Sequence, residues 1–201
     1  MRFIGVPKIV KGLLPSAIWR IPTQEKTIYL TFDDGPTERT HEILHLLKRY
    51  QAKATFFCVG ANAKKHPDLI TEILDAGHTI GNHSWSHLKG WRTKTDAYLA
   101  DIERANGVLQ SELFRPPYGK MTWKQYRLIK AKYKIIMWSH LSYDFDISMP
   151  EEVFYDRLFT KYQAGDIVVL HDNLKYFDKS INMLKSILEW TEKEGICCLA
   201  I

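Results

Sequence analysis

Two aspartates stand side by side at Asp33 and Asp34, and two histidines stand four residues apart at His83 and His87. On a single helical turn both imidazoles would project from one face and could share one cation. Taken alone, such a pair is more often a surface or core feature than a ligand set. A carboxylate arriving from another part of the chain changes that balance, because two imidazoles and one carboxylate with open positions form a recurrent catalytic metal site. Adjacent carboxylates can then take different jobs, one binding the ion and the other accepting a proton. The plainer alternative for Asp33-Asp34-Gly35-Pro36 is an Asx-type turn that caps a helix.

Further along, Arg115 is followed by Pro116, Pro117, Tyr118 and Gly119, which puts a permanent positive fork on a stiff loop. Such a fork suits a carboxylate, and the alternative is a structural turn with an arginine on the rim. His171 ends the apolar run Val168-Val169-Leu170. It is either a hydrogen-bonded core histidine or, beside a metal, a general acid. Aromatic rings stack on sugar faces, and of Trp85, Trp91, Tyr118, Trp138 and Phe145 we take Tyr118 and Trp138 to line a pocket; packing is the commoner role for the rest.

The elements that must position these groups show in the hydrophobic pattern. Short apolar runs at 28–32, 54–59, 78–80, 113–115, 135–138, 166–170 and 197–201 alternate with segments of helical period. Ile43, Leu46, Leu47 and Tyr50 share one helix face, as do Leu69, Ile70, Ile73 and Leu74, and Tyr98, Ile102, Ala105 and Leu109. Later helices are expected at 122–132, with Thr122 as N-cap, at 150–162 and at 177–194. Gly77, Gly165 and Gly195 each follow a helix and precede a strand, as C-caps do. This alternation predicts an α/β fold with parallel strands. Asp33 and Asp34, His83 and His87, Arg115, Asp144 and His171 then fall at the carboxyl ends of five strands, the edge where βα loops converge.

A chain of 201 residues fits one domain. Its 45% hydrophobic and 25% charged residues exclude a disordered composition. The net charge of +5 is spread through the sequence, without the basic block, zinc-finger spacing or aromatic motif of a nucleic-acid binder. Cys58, Cys197 and Cys198 give an odd count and read as free thiols. Pro7, Lys8, Lys11, Gly12 and Pro15 interrupt any apolar leader, and no run reaches 18 apolar residues, so a cytoplasmic protein without a membrane span is expected. Oligomeric state is not legible.

Together, Thr31-Phe32-Asp33-Asp34-Gly35-Pro36, His83-Ser84-Trp85-Ser86-His87, Arg115-Pro116-Pro117-Tyr118-Gly119 and Leu170-His171 resemble the ordered motifs of the NodB-like polysaccharide deacetylases, carbohydrate esterase family 4. The resemblance covers residues 26–201, leaving 1–25 as an N-terminal extension. It implies a distorted (β/α)7 barrel and a metal-dependent hydrolase that removes N-acetyl groups from an N-acetylated sugar or polysaccharide. It also implies that Asp34, His83 and His87 bind one divalent ion, usually zinc, with cobalt, nickel or manganese as alternatives. Asp33 is then the general base, Arg115 its orienting partner, the Tyr118 backbone N–H an oxyanion donor, and His171 the general acid. One motif departs: where the family carries two aspartates three apart and then tryptophan, this chain has Leu141, Asp144 and Phe145. That departure alters the sugar-facing wall and the tuning of His171, with Asp146 as a candidate replacement carboxylate. A non-sugar amidase and a non-catalytic glycan binder are the alternatives to a sugar deacetylase.

Overall fold

Runs rich in β-branched and aromatic residues make the strands. The computed structural model describes residues 12–201, so most of the segment read above for a leader lies outside the described residues. The strands are β1 (Thr27–Asp33), β2 (Ala54–Cys58), β3 (Thr79–Asn82), β4 (Leu113–Phe114), β5 (Lys134–Ile135), β6 (His140–Leu141), β7 (Asp166–His171) and β8 (Cys197–Cys198). Every pairing is parallel, in the order β5-β4-β3-β2-β1-β7-β6, with β8 beside the start of β1. β1, β2 and β7 are covered on both faces, which is why they read as nearly continuous apolar runs.

Among the described residues seven α-helices accompany them: α1 (Thr40–Arg49), α2 (Gly60–Lys65), α3 (Pro67–Asp75), α4 (Thr95–Leu109), α5 (Trp123–Ile129), α6 (Glu151–Lys161) and α7 (Phe177–Glu194). Each turns an apolar stripe inward. On α7 the stripe is Phe177, Met183, Leu184, Ile187 and Leu188, all essentially without solvent contact, each worth about 1.5–3 kcal/mol for full burial. Gly195 ends that helix at φ 64°, letting Ile196 N–H reach back to Thr191 O at 2.8 Å. α5 starts with a capping box between Thr122 and Gln125.

Seven strands were expected and the described residues form eight. The extra one, β6, belongs to a single extended span, residues 134–141, that changes partners midway. At one end Ile135 pairs with Phe114 of β4, and at the other His140 pairs with Val168 of β7. Ile136 N–H donates to Phe114 O and Ser139 N–H to Ile167 O, both at 2.9 Å. This crossing joins the two sides of the sheet into a distorted (β/α) barrel.

Under the crossing runs a strap formed by residues 16–21. Ile18 N–H donates to Ile135 O at 2.8 Å, Met137 N–H to Ile18 O at 2.7 Å, and Ile21 N–H to Gly165 O at 2.9 Å. The Arg20 guanidinium pairs with the buried Asp166 at 2.7 Å, and Asp166 also meets His140 Nε2 at 2.9 Å. No helix among the described residues is long and apolar enough to cross a membrane. Cys58 and Cys198 are buried free thiols, whereas Cys197 is exposed.

Candidate active site

β1 ends at Asp33, and strand alternation would send the next side chain away from it. Asp34 instead takes φ 79°, which swings its carboxylate to the same mouth. Asn173 Nδ2 donates to Asp34 Oδ2 at 3.0 Å, and Asn62 Nδ2 donates to Asp34 O at 2.8 Å. Beneath the turn lies Asp172, which the sequence reading did not single out. Its carboxylate accepts from Thr37 Oγ1 at 2.8 Å and Thr40 Oγ1 at 2.5 Å, and a Cβ on Gly35 would sit 2.3 Å from its Oδ2. Only glycine fits there. Burial pushes the Asp172 carboxyl up to about 6 against the pull of these hydroxyls. The available sequence signal was a second adjacent acid at a strand end, His171-Asp172.

His83 and His87 follow β3 on a loop and not on a helical turn. Ser84 at φ 63° and His87 at φ 54° wrap the chain, and Asp101 Oδ2 accepts from the Trp85 and Ser86 N–H groups at 2.9 and 3.0 Å. Spacing of four therefore brings the rings together for a different reason than helical geometry; their centroids are 5.0 Å apart. His83 Nδ1 is 2.8 Å from Arg115 O. A carbonyl oxygen only accepts, so Nδ1 carries the proton and Nε2 presents a lone pair. Burial holds the His83 pKa down to about 3 and lowers that of His87, leaving both imidazoles neutral.

The Nε2 lone pair of His83 faces carboxylate oxygens of Asp34 and Asp33 at 3.8 and 3.9 Å, and His87 Nε2 lies 3.2 Å from Asp34 Oδ1. Electron-pair donors gathered this closely around neutral imidazoles are a set that could hold a cation at their centre. Ligand atoms of Asp34, His83 and His87 all lie within 4.8 Å of one another. Two nitrogens and one oxygen suit a divalent ion with open positions, and neutral imidazole with ionised carboxylate is the protonation state ligation requires.

Arg115 is buried in the wall and does not stand on the rim. Its Nη1 donates to Asp33 Oδ1 and Thr31 Oγ1, both at 2.7 Å, while Nη2 and Nε donate to Met137 O and Ile136 O at 3.0 and 3.2 Å. The guanidinium lies 4.0 Å over the Phe57 ring. Its charge is thereby committed to Asp33.

His171, at the end of β7, meets the fully buried Asp144 twice: Nδ1 to Oδ1 at 2.6 Å and backbone N–H to Oδ2 at 2.7 Å. Ser142 Oγ donates to Asp144 Oδ1 at 2.8 Å and Ser180 Oγ donates to Oδ2. Burial alone would lower the His171 pKa, but the Asp144 charge and hydrogen bond, helped by Asp34 and Asp33, carry it up to about 9. Asp146 is occupied with Ser148 N–H and Oγ at 3.0 and 2.7 Å, so Asp144 is the acid that reaches His171. Phe145 sets its ring edge-on to His171, centroids 5.0 Å apart.

Asp33, Asp34, His83, His87 and His171 share one cleft of about 610 Å³. Tyr118, Trp138, Leu141 and Phe145 are among its walls, so both departures from the family motif face the cavity. Trp85 lies elsewhere, under Arg104 at 4.0 Å. Asp34, Ser84, His87 and Tyr118 are four of the non-glycine residues held at positive φ, and strain gathered at one mouth marks a functional site.

The polysaccharide deacetylase family model matches residues 20–135. The chain belongs to the polysaccharide deacetylase family. Over 185 residues this deacetylase is 34% identical to a peptidoglycan-N-acetylglucosamine deacetylase of Bacillus cereus, covering 88% of this chain and 87% of that one. A second peptidoglycan-N-acetylglucosamine deacetylase of Bacillus cereus is 30% identical, over 86% of this chain and 68% of the relative. Among solved structures, the Bc1960 peptidoglycan N-acetylglucosamine deacetylase superposes with a TM-score of 0.85 at 27% identity, over 92% of this chain and 91% of that one. The family resemblance read from four motifs and the barrel it implied both hold, and the protein is a hydrolase of the carbohydrate deacetylase type.

Proposed function

We propose that this deacetylase hydrolyses the acetamide of an N-acetylated sugar unit within a glycan such as peptidoglycan, releasing acetate and leaving a free amine. The observation that carries this reading is the meeting in one cleft of the Asp34–His83–His87 donor set, the Arg115-held Asp33 and the Asp144-held His171.

We assign zinc to Asp34, His83 and His87, a nitrogen-rich three-ligand set of the kind catalytic zinc prefers. When bound, such an ion supplies Lewis acidity next to Asp33. Asp33, held in place by Arg115, takes the proton of the attacking water as its oxygen bonds to the acetamide carbon. The backbone N–H of Tyr118 is assigned to the oxygen that becomes negative. An amide anion leaves poorly, so His171 passes its Nε2 proton to the nitrogen as the C–N bond breaks. Asp144 positions that imidazole and keeps it charged.

Leu141 and Phe145 favour a second reading, a non-sugar amidase on the same scaffold, because they make part of the cavity apolar. A panel of N-acetylated oligosaccharides, muropeptides and small amides separates the two by which class releases product. On glycans, Asp33→Asn is expected to retain zinc and lose acetate release by on the order of 100- to 10,000-fold. His83→Ala is expected to lose the zinc itself, together with the rise in Tm that zinc gives the wild type. Full turnover by Asp33→Asn, measured as acetate per mole of zinc-loaded protein, rules out Asp33 as the base.

A further inference from the structure

Beside the catalytic cleft lies a second hollow of about 500 Å³, lined by Lys89, Trp91, Arg92, Tyr118 and Lys120. It shares Tyr118 and Lys120 with the cleft, so the two lie side by side. Its lining carries three cations and no carboxylate. Among the described residues none of the three is held in an ion pair. The rings are open to solvent, Trp91 at 57% and Tyr118 at 51% exposure. Lys120 Nζ stands 4.6 Å from the Trp91 ring and Lys89 Nζ stands 5.0 Å from the Tyr118 ring, so the charges flank the aromatic faces.

The walls of this hollow are fixed. Gln125, fully buried, donates from Nε2 to Gly90 O at 2.9 Å and Thr93 O at 3.1 Å, and its Oε1 accepts from Thr122 N–H at 2.8 Å. It thus ties the turn at Gly90–Arg92 to the segment that leads out of Lys120. A Cβ on Gly90 would meet Lys120 O at 2.7 Å, so the two walls touch at their base. A built groove with sugar-stacking rings and three uncompensated positive charges has a specific chemical complement.

We propose that this groove binds the sugar unit adjoining the one deacetylated, and that this unit bears a carboxylate held by Lys89, Arg92 and Lys120. The inference rests on the deacetylase reading and narrows it: an acidic glycan is preferred to a neutral one of the same length. Lys89, Arg92 and Trp91 set specificity, and none of them touches the reacting atoms.

The test uses zinc-loaded full-length protein and two tetrasaccharides, one of N-acetylglucosamine alone and one alternating N-acetylglucosamine with N-acetylmuramic acid. Binding is followed by calorimetry and turnover by acetate release. At low salt the carboxylated glycan is expected to bind roughly tenfold more tightly and to show a correspondingly lower KM, a preference that shrinks as salt screens the groove. In Lys89→Gln/Arg92→Gln the ratio of kcat/KM for the carboxylated over the neutral glycan is expected to fall several-fold. Equal binding of the two glycans at low salt, or a preference that survives the double substitution, overturns the proposal. Absence of acetate from both glycans would end the deacetylase reading instead, and the binding comparison would still decide the groove.

Discussion

A histidine that delivers a proton at neutral pH must be kept charged, and His171 is held so by a buried carboxylate 2.6 Å away. In the general-acid role proposed above, its raised pKa, about 9, sets an alkaline limit, since the acid form disappears as pH rises through that value. The same ion pair has a stability window. His171 contributes fully below its ordinary pKa of 6.5 and ceases to as pH climbs through about 9. Asp144, lowered from 3.8 despite its burial because His171 and two serines stabilise its charge, ceases to contribute as pH falls through its depressed pKa. Asp144→Asn removes the charge that raises His171, so the alkaline limb of kcat should move to lower pH. A pH–rate profile of wild type and variant checks this, and an unmoved limb assigns it to another group. At this scale much was legible: Asp33, Asp34, His83, His87, Arg115 and His171 are residue types whose chemistry is visible without coordinates. Asp172 and Ser180 were not. A serine 36 residues from the acid it serves, as Ser180 is from Asp144, leaves no local trace.

Among the elements, the 3₁₀ turn Pro117–Gly119 shows how tightly the site's walls are set. Gly119 sits at φ 65°, and a Cβ there would come within 2.3 Å of Trp138 Cη2. Gly119→Ala is therefore expected to cost about 1–3 kcal/mol and to displace the indole that lines the cleft. Urea midpoints report the first effect and KM for a glycan the second; a variant that keeps both would show that the turn can shift freely. Long amphipathic helices were readable from period, and α7 has the expected bounds, starting with its apolar stripe at Phe177 and stopping at Glu194 before Gly195. Two local readings went differently. His83 and His87 suggested a helical turn, but Ser84 and His87 adopt left-handed backbone, for which their side chains give no signal. β6 was absent from the reading because it continues the extended span already read at 135–138, with no helical segment between to set it apart.

Across the whole molecule, the ends of β1, β3 and β7 deliver polar groups to one mouth, with Arg115 and Asp144 buried behind Asp33 and His171 where the α/β alternation led us to expect all of them at the mouth itself. What the pattern could not convey is how the ring of strands is completed, since the crossing at 134–141 rests on pairings between separate elements and the strap beneath it joins residues more than a hundred positions apart. The strap at residues 16–21 supplies one such contact, seated on Gly165 at φ 84°, where a Cβ would fall 1.7 Å from Ile21 O. Gly165→Ala must push the strap away or strain its own backbone, and we expect a loss of at least about 2 kcal/mol, read from denaturant unfolding. An unchanged midpoint would mean the strap adds nothing to the fold.

The span from 134 to 141 carries Trp138 and Leu141 into the cavity while its backbone laces β4 to β7. Side chains that line the cleft and the stitch that keeps the barrel shut are therefore one stretch of polypeptide. Retailoring selectivity at Trp138 or Leu141 tugs on that seam. The exposed side chains of Lys89, Trp91 and Arg92 stand clear of it, so substitutions on that outer rim leave the barrel's seam untouched.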